Sequence, residues 1–242
     1  MIVQLLRSGA SGPEMLLMIL LLLFAMTISF SAHEFAHAFV AYKLGDNTPY
    51  NMGRVTLNPA AHVDPMGAVL LLLVGFGWGK PVVYNPSNIS RIKNRRLGCI
   101  MVSAAGVTAN FIVALIASIL EVILVRVAGA SVLMGSGVGA VTAVYLVLEY
   151  VTTFSLSLLA FNLLPLPPLD GFNILQELLP LSVKYSDGYR KFLGFAPKIF
   201  LVIIIAEYAL RINILGGLMA LIQLPFSLII EYICYGLTMI LF

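Results

Sequence analysis

Three residues in one short stretch can do metal chemistry. In Ser31-Ala32-His33-Glu34-Phe35-Ala36-His37-Ala38 two histidines stand four apart. On a helix that spacing stacks them on one face, so a ring nitrogen from each can aim at the same ion. Glu34 takes the adjacent helical position, beside such an ion rather than on it, where a general base would stand. The pattern fixes only three residues, and soluble proteins carry it by chance. Here it closes an uncharged run over residues 15–32 that reads as a membrane helix. Ionisable groups at membrane depth are costly, which marks this trio as a functional site.

The composition supports that setting. Of 242 residues, 60% are hydrophobic and 10% charged, with mean hydropathy +1.01. Soluble domains carry about a quarter charged residues, so the chain reads as an all-α polytopic membrane protein of a single domain, residues 1–242. The net charge of +3 is small, and no basic stretch is interleaved with aromatics, which argues against nucleic acid as a partner. Cys99 and Cys234 stand alone, so neither a disulfide nor a cysteine metal site is expected. Any zinc is left to histidine and carboxylate.

Several elements are needed to position the trio. The first span is expected over residues 15–42, stopping near Lys43 and Gly45. It is retained, because its apolar run is long, has no cleavage site and carries the motif. Gly53-Arg54-Val55-Thr56-Leu57-Asn58-Pro59 reads as a short strand and turn. His62 follows in the loop, as a structural residue or as a ligand or proton shuttle. Residues 66–79 are apolar but short, which fits a re-entrant segment or an interfacial loop anchored by Trp78. Arg91, Lys93, Arg95 and Arg96 form the densest positive cluster and put their loop on the cytoplasmic side. The next helix spans 97–125. Its run Ala105-Gly106-Val107-Thr108-Ala109-Asn110 places small residues and one amide where a neighbouring helix can pack closely and accept a hydrogen bond.

A return helix over 140–164 ends in Asn162-Leu163-Leu164-Pro165-Leu166-Pro167-Pro168-Leu169-Asp170-Gly171. Three prolines stop the helix and leave irregular backbone, tolerable at this depth only if buried in protein or lining a wet cavity. The tail reads as a polar loop over 181–198, then one or two further spans over 199–242 broken near Pro225, for about five to six in all. Glu207 and Arg211, four apart, could pair on one helix face or act as a gate.

If 66–79 does not cross, the first helix and the helix ending at Asn162 both run toward the basic side. His33, His37 and Asp170 then meet near two helix tips. Two imidazoles, one carboxylate and an open position make a catalytic zinc site. Zinc lowers the pKa of its water to about 7, and Glu34 can take the proton as that water attacks a carbonyl.

Together these motifs resemble the site-2 protease family of intramembrane zinc metalloproteases. Gly53 to Pro59 and His62-Val63-Asp64-Pro65-Met66-Gly67 are similar to its compact prokaryotic branch, which lacks PDZ insertions. The likeness covers about residues 15–171, taken as the catalytic core, with C-terminal helices over about 197–242. It implies His33, His37 and Asp170 as ligands of one zinc ion per chain and Glu34 as catalytic base. It also implies that Asn162 orients water or stabilises the oxyanion. Val107 stands where the family commonly has proline, and Phe172 where a second glycine is frequent.

The resemblance implies a membrane-anchored protein as substrate, cut within or near a spanning helix. It further implies a multi-pass protein of a prokaryotic cell membrane with its site toward the cytoplasm. The segment around Arg54 to Leu57 is expected to receive the unwound substrate by edge pairing. Two other readings compete. A metal-ion transporter using the same His and Asp would show repeated halves, and no convincing internal repeat is present. A non-catalytic scaffold would normally have lost Glu34 or a ligand, and all are present.

Overall fold

The computed structural model describes residues 12–74, 77, 79–129, 139–210 and 213–241. The elements are helices α1 (Gly12–Lys43), α2 (Thr48–Asn51), α3 (Pro65–Val74), α4 (Arg95–Ala128), α5 (Ala140–Asn162), α6 (Asp170–Leu178), α7 (Leu181–Lys184), α8 (Asp187–Leu210) and α9 (Ile214–Leu241). Short 3-10 turns occupy Pro59–Ala61 and Pro86–Asn88. Among the described residues, four helices are long and apolar enough to cross a membrane: α1, α4, α5, and α9 over Ile214–Ile240. The expected count of five to six is not confirmed among these residues.

Helices α1, α4 and α5 pack around one seam. Ala25, Ala117 and Val151 meet in it, and small side chains let the backbones approach. Ser155 Oγ donates to Ser29 Oγ at 2.9 Å across the same contact. Helix α9 covers α4 and α5 through Ile230, buried with Ala114 and Leu156. Phe226 lies edge-on to Phe111, with ring centroids 5.6 Å apart. Pro225 does not break α9, contrary to expectation; the helix runs through it. Neighbouring helices tolerate such a proline in a membrane span.

Helix α1 ends where its sequence says it should. Gly45 adopts φ +108°, Gly45 N–H donates to Tyr42 O at 3.1 Å and Asp46 N–H to Ala41 O at 3.0 Å. This is the closing pattern that glycine permits without strain. Asp46 then ties the following loops to the helix end. Its Oδ1 accepts from Thr48 N–H at 3.0 Å and Asn88 Nδ2 at 2.9 Å, and its Oδ2 from Asn85 N–H at 2.6 Å. Burial alone would raise the Asp46 pKa, but these hydrogen bonds outweigh it and hold the carboxyl below its usual range.

The strand expected over 53–59 does not form. Gly53 turns at φ +66°, and the polar side chains bond across the loop instead of leaving a ladder edge. Arg54 Nη1 donates to Ala61 O, and His62 Nε2 donates to Thr56 O at 2.7 Å. Lys80 N–H donates to His62 O at 2.7 Å. His62 is therefore a buried strut of this knot. Side-chain chemistry typical of turns has overridden the alternation. With no strand there, edge pairing over Arg54 to Leu57 loses its basis.

Helix α3 is ten residues long, about 15 Å and half the thickness of a hydrocarbon core. Trp78 and residues 130–138 lie outside the described residues. The polar stretch over 181–198 is largely helical rather than a loop. Arg211 lies outside the described residues, so its pairing with Glu207 does too.

Candidate metal centre

Helix α1 carries His33, Glu34 and His37 within its last three turns, all buried. Asp170 arrives from far along the chain. The prolines end α5, and Leu169 N–H donates to Leu166 O at 2.9 Å, a tight turn that opens α6 on Asp170. Gly171 makes the approach possible, because a Cβ there would lie 2.8 Å from Leu164 O. Phe172 fills the site of the expected second glycine. It is buried and packs α6 on α8, with its ring 6.3 Å from that of Phe192.

The far end of α6 is fixed to α4. Arg96 Nε donates to Glu177 O at 3.0 Å and its Nη2 to Leu179 O at 2.6 Å, satisfying carbonyls left open at the helix C-terminus. Arg91 Nη1 donates to Lys43 O at 3.2 Å. The end of α1, the start of α4 and all of α6 thus gather at one end of the bundle, beside the basic cluster.

Three ligand-capable atoms meet there. His33 Nε2 and His37 Nε2 are 3.0 Å apart. Asp170 Oδ2 lies 3.3 Å from the first and 3.2 Å from the second. Zinc bonds of about 2.0–2.1 Å place tetrahedral ligands roughly 3.3 Å apart, so these atoms have the spacing of three corners around one ion. Asp170 Oδ2 is buried and lacks a hydrogen-bond partner, an orphan that a cation would satisfy. The donor set, two imidazoles and a carboxylate, suits zinc.

His37 is preset for this task. Its Nδ1 lies 2.7 Å from Val102 O. A carbonyl only accepts, so Nδ1 carries the proton and Nε2 presents its lone pair. Gly106 of α4 forms the wall behind both rings. A Cβ there would lie 2.6 Å from His33 Cε1 and 2.8 Å from His33 Nδ1, and would also collide with His37 Nε2. Beside it Asn110 is fully buried, with Nδ2 3.0 Å from His33 Nδ1. The packing role expected of this helix face is real, but the surface being packed is the pair of histidines. The signal was an amide and a small-residue run on one apolar helix; nothing in the sequence alone says which residues they face.

Glu34 points at a different neighbour. Its Oε2 accepts from Val82 N–H at 3.1 Å, on the stretch that leads from the His62 knot to the Asp46 loop. Residues 79–85 form no helix or strand. Among the described residues, the N–H groups of Val83 and Tyr84 have no acceptor. Asn162 Nδ2 donates to Leu158 O at 2.9 Å in its own helix, which leaves one amide hydrogen for another partner. The structure thus gathers His33, His37 and Asp170, turns Glu34 toward residue 82, and leaves Asn162 bonded locally.

Comparison with known proteins reaches the same region. The family model for peptidase family M50 matches residues 21–207, which hold every motif above. YwhC of Bacillus subtilis, named as a zinc metalloprotease, is 39% identical over 186 residues, 76% of this chain and 80% of that protein. Rip2 of Mycolicibacterium smegmatis, also named as a zinc metalloprotease, is 27% identical over 181 residues, 73% of this chain and 64% of its own length. Rip2 of Mycobacterium tuberculosis is 31% identical over 157 residues, 63% and 54% of the two chains. No solved structure matches the chain.

Proposed function

The chain belongs to peptidase family M50 and is a site-2-protease-like zinc metalloendopeptidase, and from that premise we propose how its residues cut a membrane-anchored protein. His33, His37 and Asp170 hold the zinc. The observation that carries this assignment is the triangle of their ligand atoms, 3.0–3.3 Å on each side. A zinc ion held by these three residues would supply Lewis acidity for activating water and polarising a peptide carbonyl.

The chain's own groups do the rest. Glu34 is the general base: Val82 N–H holds Oε2, leaving Oε1 to take the proton from the attacking water and return it to the leaving amine. The spare amide hydrogen of Asn162 is offered to the oxygen that gains charge as the carbonyl is attacked. A helical substrate has that carbonyl bonded within its own backbone, so it must unwind before reaction. Residues 79–85 form neither helix nor strand, and the N–H groups of Val83 and Tyr84, next to the Val82 that binds Glu34 and without an acceptor among the described residues, offer the unwound segment main-chain partners. This stretch, rather than the one around Arg54 to Leu57, whose loop is closed by bonds from Arg54 and His62, receives the substrate main chain.

The cut falls within or near a spanning helix, because the site lies at the end of three membrane helices. The basic cluster at that end argues for a site on the cytoplasmic side of a prokaryotic cell membrane.

The test is a proteoliposome assay with purified protein and a labelled single-span substrate. Cleavage is expected in or beside the span, to stop on treatment with a zinc chelator, and to return with about one equivalent of zinc per chain. Cleavage undiminished by the chelator, or zinc flux across the bilayer without cleavage, would overturn the reading.

A further inference from the structure

The two imidazoles are not held alike, and that difference carries an inference which rests on the zinc reading above. His37 Nδ1 faces a backbone carbonyl, Val102 O, at 2.7 Å, an acceptor that cannot change. His33 Nδ1 faces the side-chain amide of Asn110 at 3.0 Å. Both His33 and Asn110 are buried, and Asn110 Oδ1 has no hydrogen-bond partner.

For His33 Nε2 to serve as a ligand it must be free of hydrogen. The single proton of the neutral ring then sits on Nδ1, and a buried N–H needs an acceptor. A half-turn of the Asn110 amide exchanges Nδ2 and Oδ1, which are nearly equal in size. It brings the orphaned oxygen to Nδ1 without moving either helix. No other polar side chain is bonded to His33 Nδ1 among the described residues.

We propose that Asn110 is a positioning residue for the metal site, its side-chain oxygen accepting the Nδ1–H of His33 and thereby holding that ring in its ligating tautomer. Groups of this kind fix ring orientation and raise ligand basicity, and losing one costs roughly 10–100-fold in metal affinity. Helix α4 would then serve both histidines in one way: Val102 O for His37 and, two turns on, Asn110 for His33, with Gly106 between them making room for the rings.

The experiment measures zinc affinity of the purified protein by competition with a chromophoric chelator. Asn110→Leu keeps the volume and removes the acceptor, and should weaken zinc binding about 10–100-fold. Asn110→Asp supplies a carboxylate oxygen at the same point and should stay close to wild type, a rescue that a packing role would not give. Nitrogen NMR of the zinc-loaded protein, with labelled histidine, should report His33 with its proton on Nδ1 in the wild type and in Asn110→Asp. Unchanged affinity in Asn110→Leu, or an Asp variant as weak as the Leu variant, would overturn the inference and leave the zinc site standing. If the Leu variant does not fold, the ring spectrum of the loaded wild type decides alone, and a proton on Nε2 of His33 refutes the proposal. A wild type that takes up no zinc would remove the reading beneath it as well.

Discussion

Glu34→Gln should slow cleavage of a membrane-spanning substrate by about 10²–10⁴-fold, the range a positioned general base supplies, while zinc content stays at one per chain. Glutamine matches glutamate in shape. Its carbonyl oxygen can still accept from Val82 N–H, 3.1 Å from the present carboxylate oxygen, so residues 79–85 keep their place. What is lost is the ability to take a proton. The readout is single-turnover cleavage in proteoliposomes, with metal content measured on the same preparation. A rate within tenfold of wild type would remove Glu34 from the chemistry, and loss of zinc would make it part of the metal site instead.

Gly106→Ala should abolish activity by a different route, through the metal. The added methyl would collide with His37 Nε2 and lie 2.6 Å from His33 Cε1, on the edges of the very rings that meet at 3.0 Å. Those rings cannot simply turn aside, because Val102 O and Asn110 hold their far nitrogens. Either the ligand triangle opens or α4 moves away from α1. We expect zinc affinity to fall by at least about 100-fold, the upper end of the effect of losing a ligand's support, with helix content by circular dichroism unchanged. Wild-type zinc affinity in this variant would mean that α4 does not press on the histidines as described.

How much of this was legible in the chain varies with the kind of interaction. His33 and His37 could be read because i, i+4 spacing is a local rule, and their cost inside an apolar run made them conspicuous. Asp170 could be reached by topology, since two helices ending on one side bring it near. Gly106 and Asn110 were visible only as packing residues. Which side chains they face depends on the register of α4 against α1, and that register is set by contacts such as those of Ala25, Ala117 and Ser29 rather than by any local pattern.

The errors have physical causes too. Residues 53–59 alternate like a strand, but Arg54 and His62 find backbone carbonyls nearby and the chain turns. The stretch over 181–198 is polar because α8 begins there largely exposed, with Phe192 also exposed although its ring meets that of Phe172. Charge alone does not separate such a helix from a loop. Pro225 would end a helix in water, yet α9 runs past it with Phe226 packed on Phe111.

The most direct test of the centre is zinc X-ray absorption on the metal-loaded protein. The expected shell is two imidazole nitrogens and otherwise oxygen at about 2.0–2.2 Å, with one oxygen lost or replaced when Asp170 becomes alanine. A sulfur scatterer near 2.3 Å, or a shell that Asp170→Ala leaves untouched, would contradict the assignment of His33, His37 and Asp170 to one ion.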